Sequence, residues 1–132
     1  MDKRELARQL ARLVATQPGF TVDADGNPVA RGYTVGGLKR TDGDAAAYYA
    51  QPTSPAELAA LESDLERLLD SAASDIANGA YIGGWRNGDQ IAVDLVTVTR
   101  GLNRAIQLAK ERQQIAFGQI DNYLYVKEWK IT

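Results

Sequence analysis

The sequence predicts a single α+β domain of order α-β-β-α-β-β-α-β-β, with an antiparallel or mixed sheet packed by helices. Three observations predict it. Three stretches carry apolar residues at helical spacing. Three further stretches are β-rich runs broken by dense turn formers. No linker interrupts the 132 residues, so residues 1–132 are read as one domain.

Each element has its own reason. In residues 3–14, Leu6, Leu10, Leu13 and Val14 recur at helical spacing, and Asp2 with Glu5 makes a capping box. Gln17-Pro18-Gly19 ends that helix. Residues 20–38 read as a hairpin, Phe20-Thr21-Val22 returning through Gly32 to Leu38. Between them Asp23, Asp25 and Asn27 imitate the start of a calcium loop. Pro28 and Thr34 stand where such a loop needs Gly and a bidentate Glu, so a plain turn is expected. Residues 39–53 read as a mobile surface loop with one helical turn, closed by Pro52. Residues 55–78 form the most regular helix. Ser54 is its N-cap, Pro55 its first residue and Glu57 its capping-box partner. Leu58, Leu61, Leu65, Leu68, Ala72 and Ile76 make one apolar stripe, and Gly79 is the expected terminator. The four leucines should be buried against the sheet that carries Trp85.

Residues 80–98 read as a second hairpin. Asn87-Gly88 predicts a type I′ turn with positive φ at both residues, which puts Ile82 and Val93 on one face. Residues 100–113 form the last helix, capped by Thr99, with Leu102, Ala105, Ile106 and Ala109 inward and Leu108 on the other side. Residues 114–130 supply the last strands, with Tyr123, Tyr125 and Trp129 alternating onto one face.

Composition narrows the chemistry. Cys and His are absent, which excludes disulfides, thiolate and imidazole metal sites, Cys nucleophiles and Ser-His-Asp hydrolysis. No phosphate-binding glycine loop is present. An enzyme would need a carboxylate pair, a Lys or Tyr, or carboxylate-bound metal. Asp94, Asp42 and Asp44 allow one to be drawn, but no spacing selects it. No catalytic residue, metal site or cofactor is therefore assigned. No apolar run spans a bilayer, and no signal peptide is visible in MDKRELARQLARL, so a cytoplasmic protein is expected.

Gly83-Gly84-Trp85 marks a bend or a close backbone approach in a strand. Residues 78–120 continue through Asn-Gly, Ile-Ala-Val-Asp and a helix ending in Glu-Arg-Gln-Gln before a final Ile-Ala-Phe. This third of the chain resembles a small domain in uncharacterised proteins of actinobacterial phages, prophages and mobile elements. That domain's pattern is Gly-Gly-Trp, a turn, a strand ending in Asp, a helix and Glu-Arg-Asn-Gln-x-Ala. Gln113 stands at the Asn position. The resemblance implies a phage-type origin, with the host cytoplasm as location, and implies no catalytic activity.

Charge is uneven. Residues 41–75 carry a net −7, against +3 before them and +2 after, for −2 overall. Glu62, Glu66 and Asp70 recur every four residues on the long helix, and Asp42 and Asp44 precede it. The leading expectation is a non-enzymatic, phage-type accessory protein whose exposed acidic face binds a protein. A basic, nucleic-acid-binding host factor or a defence factor would suit it. Lys3, Arg4, Arg8 and Arg12 could touch phosphates, but the overall acidity argues against direct nucleic-acid binding. The alternative is an assembly component that self-associates through an aromatic platform of Tyr81, Trp85, Tyr123 and Tyr125. A carboxylate- or metal-dependent enzyme comes third.

Overall fold

The computed structural model describes residues 1–40 and 46–131. Among these, four helices lie against seven antiparallel strands in one α+β fold. The helices are α1 (Lys3–Thr16), α2 (Pro55–Ser71), α3 (Ala73–Ala77) and α4 (Leu102–Glu111). The strands are β1 (Gly19–Val22), β2 (Gly32–Leu38), β3 (Ala46–Ala50), β4 (Tyr81–Asn87), β5 (Gln90–Thr99), β6 (Ala116–Asp121) and β7 (Leu124–Lys130). Strand order is β1-β4-β5-β2-β6-β7, with β3 also paired to β5.

The long β5 is the spine. Val96 to Gln90 pair with β4 on one side; on the other, Thr99 to Leu95 pair with β2 and Asp94 to Gln90 with β3. Strands β2 and β3 therefore prolong one another along a single edge of β5. Alternation then sorts the faces. Ile91, Val93 and Leu95 enter a core cluster with Leu6, Leu10 and Val14 of α1 and Leu61, Leu65 and Leu69 of α2. Thr97, next on that face, meets Arg112 just after α4. There Val35, Phe117, Leu108 and Ala109 form a second cluster. All the packed helices thus cover one face of the sheet.

Local signals for helix ends hold. Asp2 accepts from the Glu5 N–H at 2.8 Å, and Ser54 from the Glu57 N–H at 3.1 Å. Gly79 (φ 101) closes α3. Its N–H reaches the Ile76 carbonyl, and that of Ala80 reaches Asp75. The same motif ends α4, where Gln113 donates to Lys110 and Gln114 to Ala109. Here the left-handed residue is Gln113 (φ 56), which lacks glycine's freedom. Ile82 and Val93 do share the helix-covered face.

Several expectations are corrected. Strands β1 and β2 do not form a hairpin; β1 pairs with β4, and β2 with β5 and β6. Phe20 and Val22 bury in the first cluster and Val35 in the second, so burial separates them. In the expected loop 39–53, Ala46–Ala50 are a strand, because β2 leaves the first half of β5 uncovered. Residues 41–45, with Asp42 and Asp44, lie outside the described residues. The helix expected over 55–78 breaks at Ala72 (φ −97, ψ 5), next to Ser71, which donates its hydroxyl to the Leu68 carbonyl at 2.9 Å. That bond competes with the helical ladder. Leu61 and Leu65 are buried, but Leu58 and Leu68 only partly, and Leu69 joins the core.

The β4–β5 turn is also shifted. Asn87 pairs with Gln90, so Gly88 and Asp89 are the central residues, and only Gly88 (φ 67) has positive φ. That is the type II′ pattern rather than I′. Leu108 is buried, not outward, and α4 begins after Gly101, with Thr99 accepting from the Gly101 N–H at 3.4 Å. Finally, Tyr123, Tyr125 and Trp129 do not share one face. Tyr123 (φ 65) lies in the β6–β7 turn. A bulge opposite Gln119 and Ile120 then reverses the alternation between Tyr125 and Lys127. Trp129 stacks on Phe117 beside α4, while Tyr125 points to the other face.

Two stability outcomes follow. Leu65→Ala, at a fully buried position, should lose roughly 2–5 kcal/mol, read as a lower denaturation midpoint at unchanged slope. Gln113→Asn should gain up to about 1 kcal/mol, because Asn tolerates the left-handed conformation better. A lower midpoint for the Asn variant would show that Gln113 has a compensating role.

Candidate ligand site on the concave sheet face

The face opposite the helices carries few large side chains. Cross-strand rows place Thr21, Gly83 and Asp94 side by side, then Gly19, Trp85 and Ala92. On the other half, Thr34 stands next to Gly118. The sheet curls so strongly that its two ends meet across this face. Tyr125, on the terminal strand β7, comes close to the hydroxyls of Thr34 on β2 and of Thr21 on β1, at the opposite end of the strand order. Its ring lies 6.2 Å from that of Trp85, tilted by 56°. Gly118 makes this crossing possible, since a Cβ there would stand 2.1 Å from the Tyr125 ring. The result is a cup of about 480 Å³, within the range of small-molecule sites.

Asp94 lies in the wall of the cup, between the two glycine pairs. Its Oδ2 accepts from the Gly37 N–H at 3.2 Å. A Cβ on Gly36 would sit 2.7 Å from Oδ2, and one on Gly83 would sit 3.3 Å from Oδ1. The carboxylate therefore occupies space that two side chains would otherwise fill. Burial pushes its pKa up to about 6, against the Gly37 N–H and the Arg112 charge, which favour ionisation. Arg112 does not reach it directly. Its guanidinium donates to the Val35 carbonyl at 3.0 Å, to the Gly36 carbonyl at 3.4 Å and to Thr97 Oγ1 at 2.6 Å. It thereby holds the Gly36-Gly37 bulge in place. Burial, helped by the Asp94 charge, raises the Tyr125 phenol to about 12, so Tyr125 stays a neutral donor at physiological pH.

The residues behind the phage-domain resemblance converge here. Gly83-Gly84-Trp85, Asp94, Arg112 and Gln114 come from β4, β5 and the turn after α4, and all line or brace the cup. Of the aromatic platform, Trp85 and Tyr125 meet; Tyr81 and Tyr123 stay outside the cup. The acidic face is arranged differently from the expectation of full exposure. Asp70 is exposed and paired with Lys3 of α1 at 2.7 Å, while Glu62 and Glu66 are half-buried. Asp64, on the same helix, pairs with Arg67. Packing of α1 along α2 brings a cation to this stripe and weakens its field.

Asp94 is the residue that sequence reasoning undervalued. The available signal was a carboxylate inside an otherwise apolar strand, Ile-Ala-Val-Asp-Leu-Val, together with two glycine pairs. Among the described residues, no three potential ligands cluster to hold a metal ion, and no helix is long and apolar enough to cross a membrane.

The raised pKa has a measurable consequence. The folded chain holds the Asp94 proton more tightly than the unfolded chain, whose carboxyl titrates near 3.8. The contribution of this group is therefore most favourable below that value, is lost as pH rises to about 6 and is flat above. The loss is at most about 3 kcal/mol. Asp94→Asn keeps an acceptor for Gly37 and removes the charge. It should melt higher than wild type at neutral pH, with the difference vanishing in acid. An equal or lower melting temperature at neutral pH would refute the raised Asp94 pKa.

Comparison of the chain with protein-family models, with curated proteins and with solved structures finds no match.

Proposed function

We propose that this protein works by binding a small organic molecule in the cup on its concave sheet face. The carrying observation is the cup itself: a cavity of about 480 Å³ in which the half-buried carboxylate of Asp94 lies beside the exposed ring of Trp85 and the bridging ring of Tyr125. Ligand sites commonly combine apolar and aromatic walls with a few converging polar groups. A strained or costly group retained in such a place is a sign of function rather than of stability. The reading keeps the binding role expected from a chain without His or Cys and moves it from the acidic helix face to the cup.

The test uses the two tryptophans. Trp129 does not line the cup; it stacks on Phe117 and donates its indole N–H to Gln119 at 3.0 Å, so it is an internal reference. Titration with a set of small aromatic molecules should move the indole resonance of Trp85 and leave that of Trp129 in place. Ala92→Leu, which puts a side chain into the cup next to Trp85, should abolish the shift without loss of fold. Equal movement of both indoles would sink the reading.

A second reading is self-association, favoured by the terminal strand β7. Leu124 and Val126 on it are 64% and 54% exposed, and Tyr123 at its turn 60%. An edge strand with such side chains invites pairing with another chain. Light scattering should then give a mass that rises from monomer to dimer with concentration. A constant monomer mass would exclude it. The phage-type accessory role, with a basic host protein as partner in the host cytoplasm, rests on the resemblance of residues 78–120 and on the acidic stretch alone.

A further inference from the structure

The cup has a chemical bias. Its charged lining residues among those described are Asp94 and Glu128, both carboxylates, with no Lys or Arg between them. Oδ2 of Asp94 is engaged by Gly37, whereas Oδ1 lies against Gly83 on the Trp85 side of the cup. Trp85 and Asp94 belong to neighbouring rows of the same face, so an atom bonded to Oδ1 can also lie over an aromatic ring. The thioether, imidazole and thiol groups that would bias the cup toward soft metals are missing from its lining.

We propose that the cup selects an organic cation, a small molecule with a primary ammonium group on an apolar body. The ammonium meets Asp94, and the body lies against Trp85 and Tyr125. This deepens the reading of the cup as a binding site and rests on it. A half-buried carboxylate that accepts from the Gly37 N–H, with no cation in direct contact among the ion pairs of the described residues, is stabilised further by a cation in the cup. A neutral ligand would leave the charge as it is. An anionic one would face two carboxylates.

Protonation sets the pH dependence. The groups around Asp94 are Arg112 after α4, Arg40 after β2, and Tyr125 and Glu128 of β7. Arg112 and Tyr125 keep their charge state around neutral pH, so the change in that range belongs to Asp94. Ammonium binding needs the ionised carboxylate and therefore strengthens as pH rises through about 6.

The experiment titrates phenethylamine, 2-phenylethanol and 3-phenylpropionate separately into the full chain, following the Trp85 indole against that of Trp129. At neutral pH the amine should bind at least about tenfold more tightly than the alcohol, and the acid more weakly than either. Asp94→Asn, with its fold checked by the melting test above, should bring the amine down to the level of the alcohol. Acidification to about pH 5 should weaken the amine several-fold and leave the alcohol unchanged. Equal binding of amine and alcohol, or an amine preference that survives Asp94→Asn, overturns the cation assignment and leaves the cup as a site. Failure of all three compounds to move Trp85 overturns both.

Discussion

A carboxylate can lie within the middle of this sheet because the residues beside it, Gly83 and Ala46 in register and Gly36 on β2, are small. Gly36 on one flanking strand and Gly83 on the other leave the volume that Asp94 fills, and a Cβ on Gly36 would lie within 2.7 Å of its oxygen. The same device recurs at Gly118, over which the Tyr125 ring crosses. That crossing brings Tyr125 of β7 close to Thr21 of β1, so the first and last strands in the sheet order approach one another across the cup.

The two faces then divide the work. Helices α1, α2 and α4 bury their apolar residues on the convex face, in two clusters joined through β5. This is where the stability resides, by the burial of Leu10, Leu65, Val14 and Val35 among others. The concave face contributes little of that kind and includes the half-buried Asp94, whose charge opposes folding at neutral pH. Arg112 links the two, anchoring α4 to the glycine bulge that supplies the Asp94 hydrogen bond. A packing change at the end of α4 is thereby transmitted to the carboxylate.

The same division explains why charge counting along the chain is a poor guide to the surface. The −7 of residues 41–75 is concentrated in sequence, but α1 brings Lys3 against Asp70, and Arg67 pairs with Asp64. Such exposed pairs contribute little to stability. Their effect is to flatten the potential that an isolated acidic helix would project. Asp94, whose pKa is pushed up to about 6, is a charge that no tally along the sequence would single out.

Much of the local structure was legible in the sequence because its causes are local. Capping by Asp2 and Ser54, the Gly79 terminator, the leucine stripe of α2 and the β4–β5 hairpin depend on residues within a few positions of one another. The pieces of the site were visible too, as two glycine pairs, Trp85 and an Asp in an apolar strand. What brings them together was not. That β1 pairs with β4 rather than β2, that β3 completes the edge of β5, and that a bulge sends Tyr125 and Trp129 to opposite faces are choices among pairings far apart in the chain. They depend on which apolar faces can be buried together, a property of the assembled clusters. Only the tertiary structure places Gly36 and Gly83 on either side of Asp94, because β5 must first be flanked by β2 and β4 for those gaps to face the same carboxylate.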